Sequence, residues 1–401
     1  MILSRVLAIV ACFLPGLCWG EVMSEIDHGT LNLCIGNKNG VVVATDSCAT
    51  KVDGAGNVIG REYNHQKLFQ LDENIVVAIA GYNRASVKFA PEFIAPAAGI
   101  ILDYLDQIKN RNHKPTYTEA VISLSHLMSF HLTSVANVKL FSEGRISKGD
   151  YIFQMLIVGR DGDKVKITKI HLSLEVQLGS QGLPYLNSVI ANTSESVVNN
   201  DLTFVTAGYD LIASQILKEP KRYKSKVIER YACLLEKRKT SEMSVPEMLE
   251  MVKAIMDVTG QANPGVAPPI QTAVFTPGRT DTNIPSFPIV ERPHLRFSLF
   301  IGGGISGMPL EKAIKTDAPM LFISSRFERS VVPLTEQYFY FDSKFVNCSI
   351  LLNSNRFSFI RNNNTVEGSE LVLSKNVDMG NIEIQSLISN FRWKNVKRIN
   401  N

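Results

Sequence analysis

From Thr30 to Ala80 the apolar residues come in short, nearly continuous runs. Leu31-Asn32-Leu33-Cys34-Ile35, Val41-Val42-Val43-Ala44 and Ile75-Val76-Val77-Ala78-Ile79 are largely aliphatic, and the last two are rich in β-branched residues. Such runs predict strands buried on both faces. A turn over Gly36 to Gly40 separates the first two, and Gly54 to Gly60 is a turn-rich excursion. Helical spacing follows. Leu102, Leu105 and Ile108 predict a helix within Arg84 to Asn110, with Pro91 and Pro96 kinking or delaying its first half. Val121, Leu124, Met128 and Leu132 form one stripe on a helix from Tyr117 to Asn137, with Thr118 as its N-cap. Strands return at Tyr151 to Gly159, Lys164 to Ser173 and Leu202 to Ala207. Helices are expected from Gly208 to Leu217, from Ser225 to Lys239, and from a Ser244-Val245-Pro246-Glu247 start to about Val258. A last strand runs from Ile270 to Phe275.

This order of elements fits an α+β protein with sheets in the middle and helices outside, a four-layer sandwich. Doubly wound folds alternate strand and helix instead. No glycine-rich phosphate loop follows a predicted strand and opens a helix, and Gly302-Gly303-Gly304 reads as a flexible turn.

Composition divides the remainder. Residues 1–20 read as a secretory signal: Arg5, an apolar run from Val6 to Leu14, a break at Pro15-Gly16, and small residues before the cut. That run is too short to span a bilayer; the competing reading is a retained membrane anchor. The expected location is secreted or periplasmic. Residues 21–29 then form a propeptide and residues 30–278 the main domain. Residues 279–319 hold a linker marked by Pro285, Pro288 and Pro293, and residues 320–401 are β-rich. In this last region Ser325-Arg326-Phe327-Glu328-Arg329-Ser330-Val331 is echoed by Ser343-Lys344-Phe345-Val346-Asn347-Cys348-Ser349. The echo suggests a small stacked-strand solenoid; the alternative is an ordinary antiparallel sheet.

At 401 residues and 45% hydrophobic, the chain can bury a large core and more than one domain. A formal charge of +4 without a basic run gives no support for nucleic-acid binding. Past the signal, Cys34, Cys48, Cys233 and Cys348 fit neither a zinc pattern nor a disulfide scaffold. Cys34 and Cys48 lie on neighbouring predicted strands, so one disulfide is conceivable, with buried free thiols the preferred reading. His28, His65, His113, His126 and His131 form no ligand cluster, and neither a metal nor a cofactor is expected.

The candidate chemistry begins at Thr30. A chain cut before it would carry a hydroxyl nucleophile and a free α-amine base on one residue. His28-Gly29-Thr30-Leu31, then Gly40-Val41-Val42-Val43-Ala44-Thr45-Asp46-Ser47, then Lys67, then Ala78-Ile79-Ala80-Gly81 together resemble the proteasome β-subunit family of N-terminal-nucleophile (Ntn) hydrolases. The resemblance is strong from about Gly29 to Ala136 and weaker from there to Thr276.

The resemblance implies an αββα fold, self-cleavage between Gly29 and Thr30, and hydrolysis of peptide or other amide bonds by the exposed threonine. Thr30 would be the nucleophile, with its α-amine, of ordinary pKa about 8, as base. Lys67 would lower the amine's pKa by like-charge repulsion and ease alkoxide formation. Asp46 would keep Lys67 charged and aimed, and the Gly81 N–H would stabilise the oxyanion. By the same comparison Ala49, His65, Phe69, Ile79 and Asn83 line the specificity pocket, and Ile79 at its floor favours a neutral, medium-sized apolar side chain. Ring assembly is a family habit, so a homo-oligomer is among the expected partners; no membrane is, once the signal is removed.

The chain departs from the family later on. Active members carry a second Asp and Ser constellation that supports the terminal amine. No serine occurs at Gly208-Tyr209-Asp210, and Gly260 to Val266 lacks a carboxylate, leaving Asp257 or Asp210 to substitute. Two alternatives therefore stand beside a threonine peptidase: a catalytically inactive scaffold or binding protein, and an amidase acting on a small non-peptide amide.

Overall fold

Side-chain alternation along the apolar runs decides how the sheets stack, because successive residues of a strand face opposite ways. The computed structural model describes residues 24–26, 30–52, 58–85, 97–110, 112–135, 151–178, 184–199, 202–236, 240–287, 298–315, 319–355, 357 and 364–399. The signal-like segment, Gly29, Pro91 and Pro96 lie outside them.

The protein is a strand-rich α+β molecule. One antiparallel sheet joins β1 (Ser24–Ile26), β4 (Ala49–Val52), β5 (Val58–Glu62), β6 (Leu68–Gln70), β7 (Ile75–Ala85), β8 (Tyr151–Asp161), β9 (Lys164–Leu178) and β10 (Pro184–Val197). Its spatial order is β10-β9-β8-β7-β1-β4-β5, with β6 also on β7. A second antiparallel sheet has the order β11-β2-β3-β12-β13, from β2 (Leu31–Asn37), β3 (Gly40–Thr45), β11 (Thr203–Gly208), β12 (Gln271–Thr276) and β13 (Arg279–Asn283).

Three apolar clusters surround these sheets. Cys34, Val41 and Val43 of the second sheet meet Val76, Ala78, Leu156 and Val158 of the first. The alternate residues Val77, Ile79, Met155 and Ile157 pack instead with α1 (Ala97–Asn110) and α2 (Tyr117–Val135). Leu31, Leu33 and Ile35 pack with α3 (Leu211–Lys218), α4 (Lys226–Glu236) and α5 (Val245–Ala262). The start of α5 is fixed as its sequence suggests: the Glu247 carboxylate accepts the Ser244 N–H at 2.8 Å and the Ser244 hydroxyl at 2.7 Å.

The remaining strands are all parallel-paired. β14 (Ser298–Ile301), β16 (Met320–Ile323) and β19 (Tyr338–Phe341) make one sheet; β15 (Gly304–Ser306), β17 (Arg326–Glu328), β20 (Lys344–Val346) and β22 (Thr365–Glu367) make a second. A third joins β18 (Val331–Leu334), β21 (Ser349–Leu352), β23 (Glu370–Ser374) and β24 (Asn395–Ile399). This is a solenoid, and the antiparallel alternative is set aside. Phe327 pairs with Phe345, and their rings stack at 4.9 Å and 8°. Corner residues Ser324, Arg329, Asp342 and Asn347 all have φ of 49–52°. The serine after each of the first two corners turns inward: Ser325 donates to the Phe300 carbonyl and Ser330 to the Ile305 carbonyl, both at 3.1 Å. Between β14 and β16 lies the short helix α6 (Leu310–Ala313), and α7 (Ile382–Asn390) precedes β24.

The solenoid is packed onto the helices. Leu299, Leu321, Ile323 and Phe341 belong to the same buried cluster as Leu124, Leu127 and Met128 of α2. The Leu299 N–H donates to Gln107 Oε1 at 3.0 Å, and the His126 and Phe341 rings lie 5.2 Å apart.

Several bounds differ from those the sequence suggests. β7 runs on to Ala85 and α1 starts at Ala97, so Arg84 is in a strand. β10 has no predicted counterpart. β13 carries the second sheet past Gly278, and rung strands begin at Ser298, inside the segment whose prolines mark a linker.

Candidate active site

The β2–β3 hairpin turns at Lys38-Asn39 and sets Asn32 opposite Thr45. Continuing that register by one residue brings Asp46 to Leu31, and the Leu31 N–H donates to Asp46 Oδ1 at 3.0 Å. Thr30 and Asp46 are thus neighbours because the hairpin is short. Lys67 comes from the other sheet. It precedes β6, and its carbonyl accepts the Ile79 N–H of β7 at 2.9 Å.

The Lys67 side chain crosses to the hairpin. Its Nζ donates to Thr30 Oγ1 at 2.5 Å, to Asp46 Oδ2 at 3.3 Å, and to the Cys48 carbonyl. An ammonium has three N–H donors to offer such acceptors. Asp46 Oδ2 also accepts the Cys48 N–H at 2.8 Å. Thr30, Asp46 and Lys67 are each at most 1% exposed. A buried lysine–carboxylate pair survives only with such hydrogen-bonded compensation.

The second sheet fixes Thr30 from behind. The Tyr209 N–H donates to the Thr30 carbonyl at 2.7 Å, and the Gly208 N–H donates to Gln154 Oε1 at 2.7 Å. Gly208 has φ of +87°, and a Cβ there would stand 1.9 Å from the Thr30 oxygen. Only glycine lets the backbone pass so close.

The other expected site residues are distributed as follows. Gly81 lies in β7 at φ +102°, half-buried and opposite Phe153. Ala49 is buried at the start of β4, next to Cys48. His65 donates its N–H to the Ser47 carbonyl at 3.1 Å, and its ring lies 2.9 Å from Glu62 Oε2. Phe69 and Ile79 are buried in the cluster under α1 and α2. Asn83 is in β7, but its side chain lies outside the described residues, as does Gly29.

Of the two substitute carboxylates, Asp210 Oδ2 accepts the Thr206 hydroxyl at 2.9 Å, and Asp257 is exposed on α5. Cys34 and Cys48 are buried free thiols, and burial pushes the Cys34 thiol far above its usual range. Among the described residues no group of His, Cys, Asp or Glu side chains is placed to hold a metal, and no helix is long and apolar enough to cross a membrane.

Sequence reasoning passed over two contributors, Gly208 and Gln271. Gly208 stands at a strand end, where a glycine signals only a turn. Gln271 opens β12 far along the chain and carries no motif, yet its side chain bonds the backbone at Lys67 and at Asp46.

No family model and no curated protein matches the chain. Among solved structures, a (Gly-1) mutant of Anbu from Hyphomicrobium sp. strain MC1 is similar with a TM-score of 0.38 and 16% identity, covering 64% of this chain and 85% of that one. Anbu from the same strain in a C2 crystal gives a TM-score of 0.36 and 16% identity, covering 63% and 86%. A likeness of this extent carries no functional argument, which rests on the site itself.

Proposed function

We propose that this chain is a threonine-nucleophile hydrolase whose active form begins at Thr30, with its two sheets and flanking helices arranged as the four layers of an Ntn hydrolase. One observation carries the reading: the Thr30 hydroxyl lies 2.5 Å from the buried Lys67 ammonium, which is itself paired with buried Asp46. Folding around such a pair is costly. Aimed at a hydroxyl, it has a chemical use.

In this reading a cut between Gly29 and Thr30 frees the α-amine. The amine takes the hydroxyl proton as Oγ1 attacks the acyl carbon. The Gly81 N–H steadies the oxyanion. The C–N bond breaks, the leaving amine takes the proton, and water then hydrolyses the acyl-threonine ester. Lys67 stays charged throughout and favours the developing alkoxide.

The leader strand supports a peptide substrate. β1 lies antiparallel between β7 and β4, with Glu25 opposite both Arg84 and Lys51. Once the leader is gone, an extended peptide can take up the same two ladders, and a small amide cannot. The signal-like residues 1–20 support export, to the periplasm or beyond the cell, followed by the second cut that exposes Thr30.

One observation favours a scaffold instead: of the two substitute carboxylates, Asp210 is engaged by Thr206 and Asp257 is exposed. Intact-mass analysis of the exported protein, with reaction against a peptide boronate, decides between them. The hydrolase begins at Thr30 and takes the boronate on that residue, and Thr30→Ala abolishes both processing and hydrolysis. A mature chain that begins near Glu21 and ignores the boronate is the scaffold.

A further inference from the structure

Asp46 and Lys67 come from different sheets, and a third side chain ties their backbones together. Gln271 opens β12 opposite Thr45 and is fully buried. It shares the inter-sheet face of its strand with Ala273 and Phe275. Its Oε1 accepts the Lys67 N–H at 3.0 Å and the Leu68 N–H at 2.9 Å. Its Nε2 donates to Ser47 Oγ at 2.7 Å, the His65 carbonyl at 2.8 Å and the Asp46 carbonyl at 3.3 Å. Backbone donors on one side and carbonyl acceptors on the other allow only one orientation of the amide. Ser47 passes the restraint on, donating to the Pro269 carbonyl at 2.6 Å.

We infer that Gln271 is a positioning residue for the reaction: by clamping the backbone at Asp46-Ser47 to the backbone at Lys67-Leu68, it sets where the Lys67 ammonium stands relative to Thr30. It touches none of the reacting groups. A lysine side chain is long and flexible, so the place of its nitrogen depends on where its backbone is anchored. Small displacements of a catalytic group cost rate far out of proportion to their size. The inference rests on the hydrolase reading for its consequence in rate, but not for the geometry of Lys67.

The test compares the protein as it is expressed and processed with its Gln271→Met and Gln271→Glu variants. Gln271→Met removes every polar contact and should lower kcat by about 30-fold with KM within about twofold. Gln271→Glu keeps an acceptor for Lys67 and Leu68 but turns an oxygen toward the Asp46 and His65 carbonyls. Only when protonated can it donate there, so its activity should recover toward acid pH in a limb that wild type and Gln271→Met lack. Gln271→Asn, shorter by one methylene, replaces Gln271→Met if that variant does not fold; it reaches only one side and should also lose kcat.

A second readout needs no hydrolysis. With 13Cε-labelled lysine, the NMR titration midpoint of Lys67 should fall in Gln271→Met, because a slacker Asp46–Lys67 pair favours the ammonium less. Variants that lose melting temperature while kcat, the pH profile and the Lys67 midpoint stay at wild-type values would reduce Gln271 to a structural role. If wild type hydrolyses nothing but the Lys67 midpoint still moves, the hydrolase reading fails and the clamp stands. If hydrolysis is sound and the midpoint does not move, the clamp fails alone.

Discussion

Lys67 Nζ meets Thr30 Oγ1 at 2.5 Å while Thr30 is still an internal residue of the chain. The lysine therefore faces the hydroxyl before any cut supplies an α-amine, and in the proposed reaction both the cut and later turnover would depend on it. Lys67→Met should slow processing and hydrolysis by about 10³-fold, as expected for loss of a positioned charge that stabilises the developing alkoxide. It also leaves buried Asp46 without its cation, which should cost about 3 kcal/mol of stability. Intact mass over time and urea denaturation measure the two effects. A variant that trims itself at the wild-type rate would take Lys67 out of the chemistry.

Gly208→Ala should disturb the same site from the opposite side. The residue sits at φ +87°, and a new Cβ would meet the Thr30 oxygen at 1.9 Å. Backbone strain alone costs about 1–3 kcal/mol, and Thr30 must shift to relieve the clash. The expected result is a lower melting temperature together with a fall in kcat. Unchanged hydrolysis would mean that Thr30 tolerates movement of its own carbonyl.

Asn32 offers a stability test independent of catalysis. It is fully buried on β2, and among the described residues its Oδ1 and Nδ2 have no hydrogen-bond partner. A buried amide left unpaired is a burden of about 1–3 kcal/mol. Asn32→Leu should therefore be neutral or stabilising by about 1 kcal/mol in urea denaturation. A clear loss of stability would show that the amide has a task that Leu cannot perform.

The contact between solenoid and helix should respond to acid. Burial holds the His126 imidazole below its ordinary value of 6.5, with Asp342 opposing in part. The unfolded imidazole protonates first as pH falls. Stability is therefore full above about pH 6.5 and declines below it, until the folded imidazole is protonated too. His126→Phe should flatten that part of the stability–pH curve while keeping a ring against Phe341. An unchanged curve would place the acid sensitivity elsewhere.

Thr30, Asp46 and Lys67 were legible through the family resemblance that their motifs carry, and one short hairpin and one strand start bring the three side chains together. The Phe327 and Phe345 echo was legible for a different reason: side chains repeated at a fixed interval stack on one another. Gln271 was not, because a single glutamine beside apolar residues looks like any strand end until the sheets are stacked. β1 is three residues, Ser24-Glu25-Ile26, too short for any alternation to appear, and its pairing with β7 and β4 alone makes it a strand. β10 is rich in Asn, Ser and Thr and much of its later half is exposed; its long antiparallel ladder with β9, rather than its own pattern, keeps it extended.

Leu321 and Phe341 lie in the same buried interior as Leu124 and Met128. The trailing quarter of the polypeptide is therefore no detachable appendage. Cutting it away would bare an oily flank on the helix, which would then need some other cover or clump.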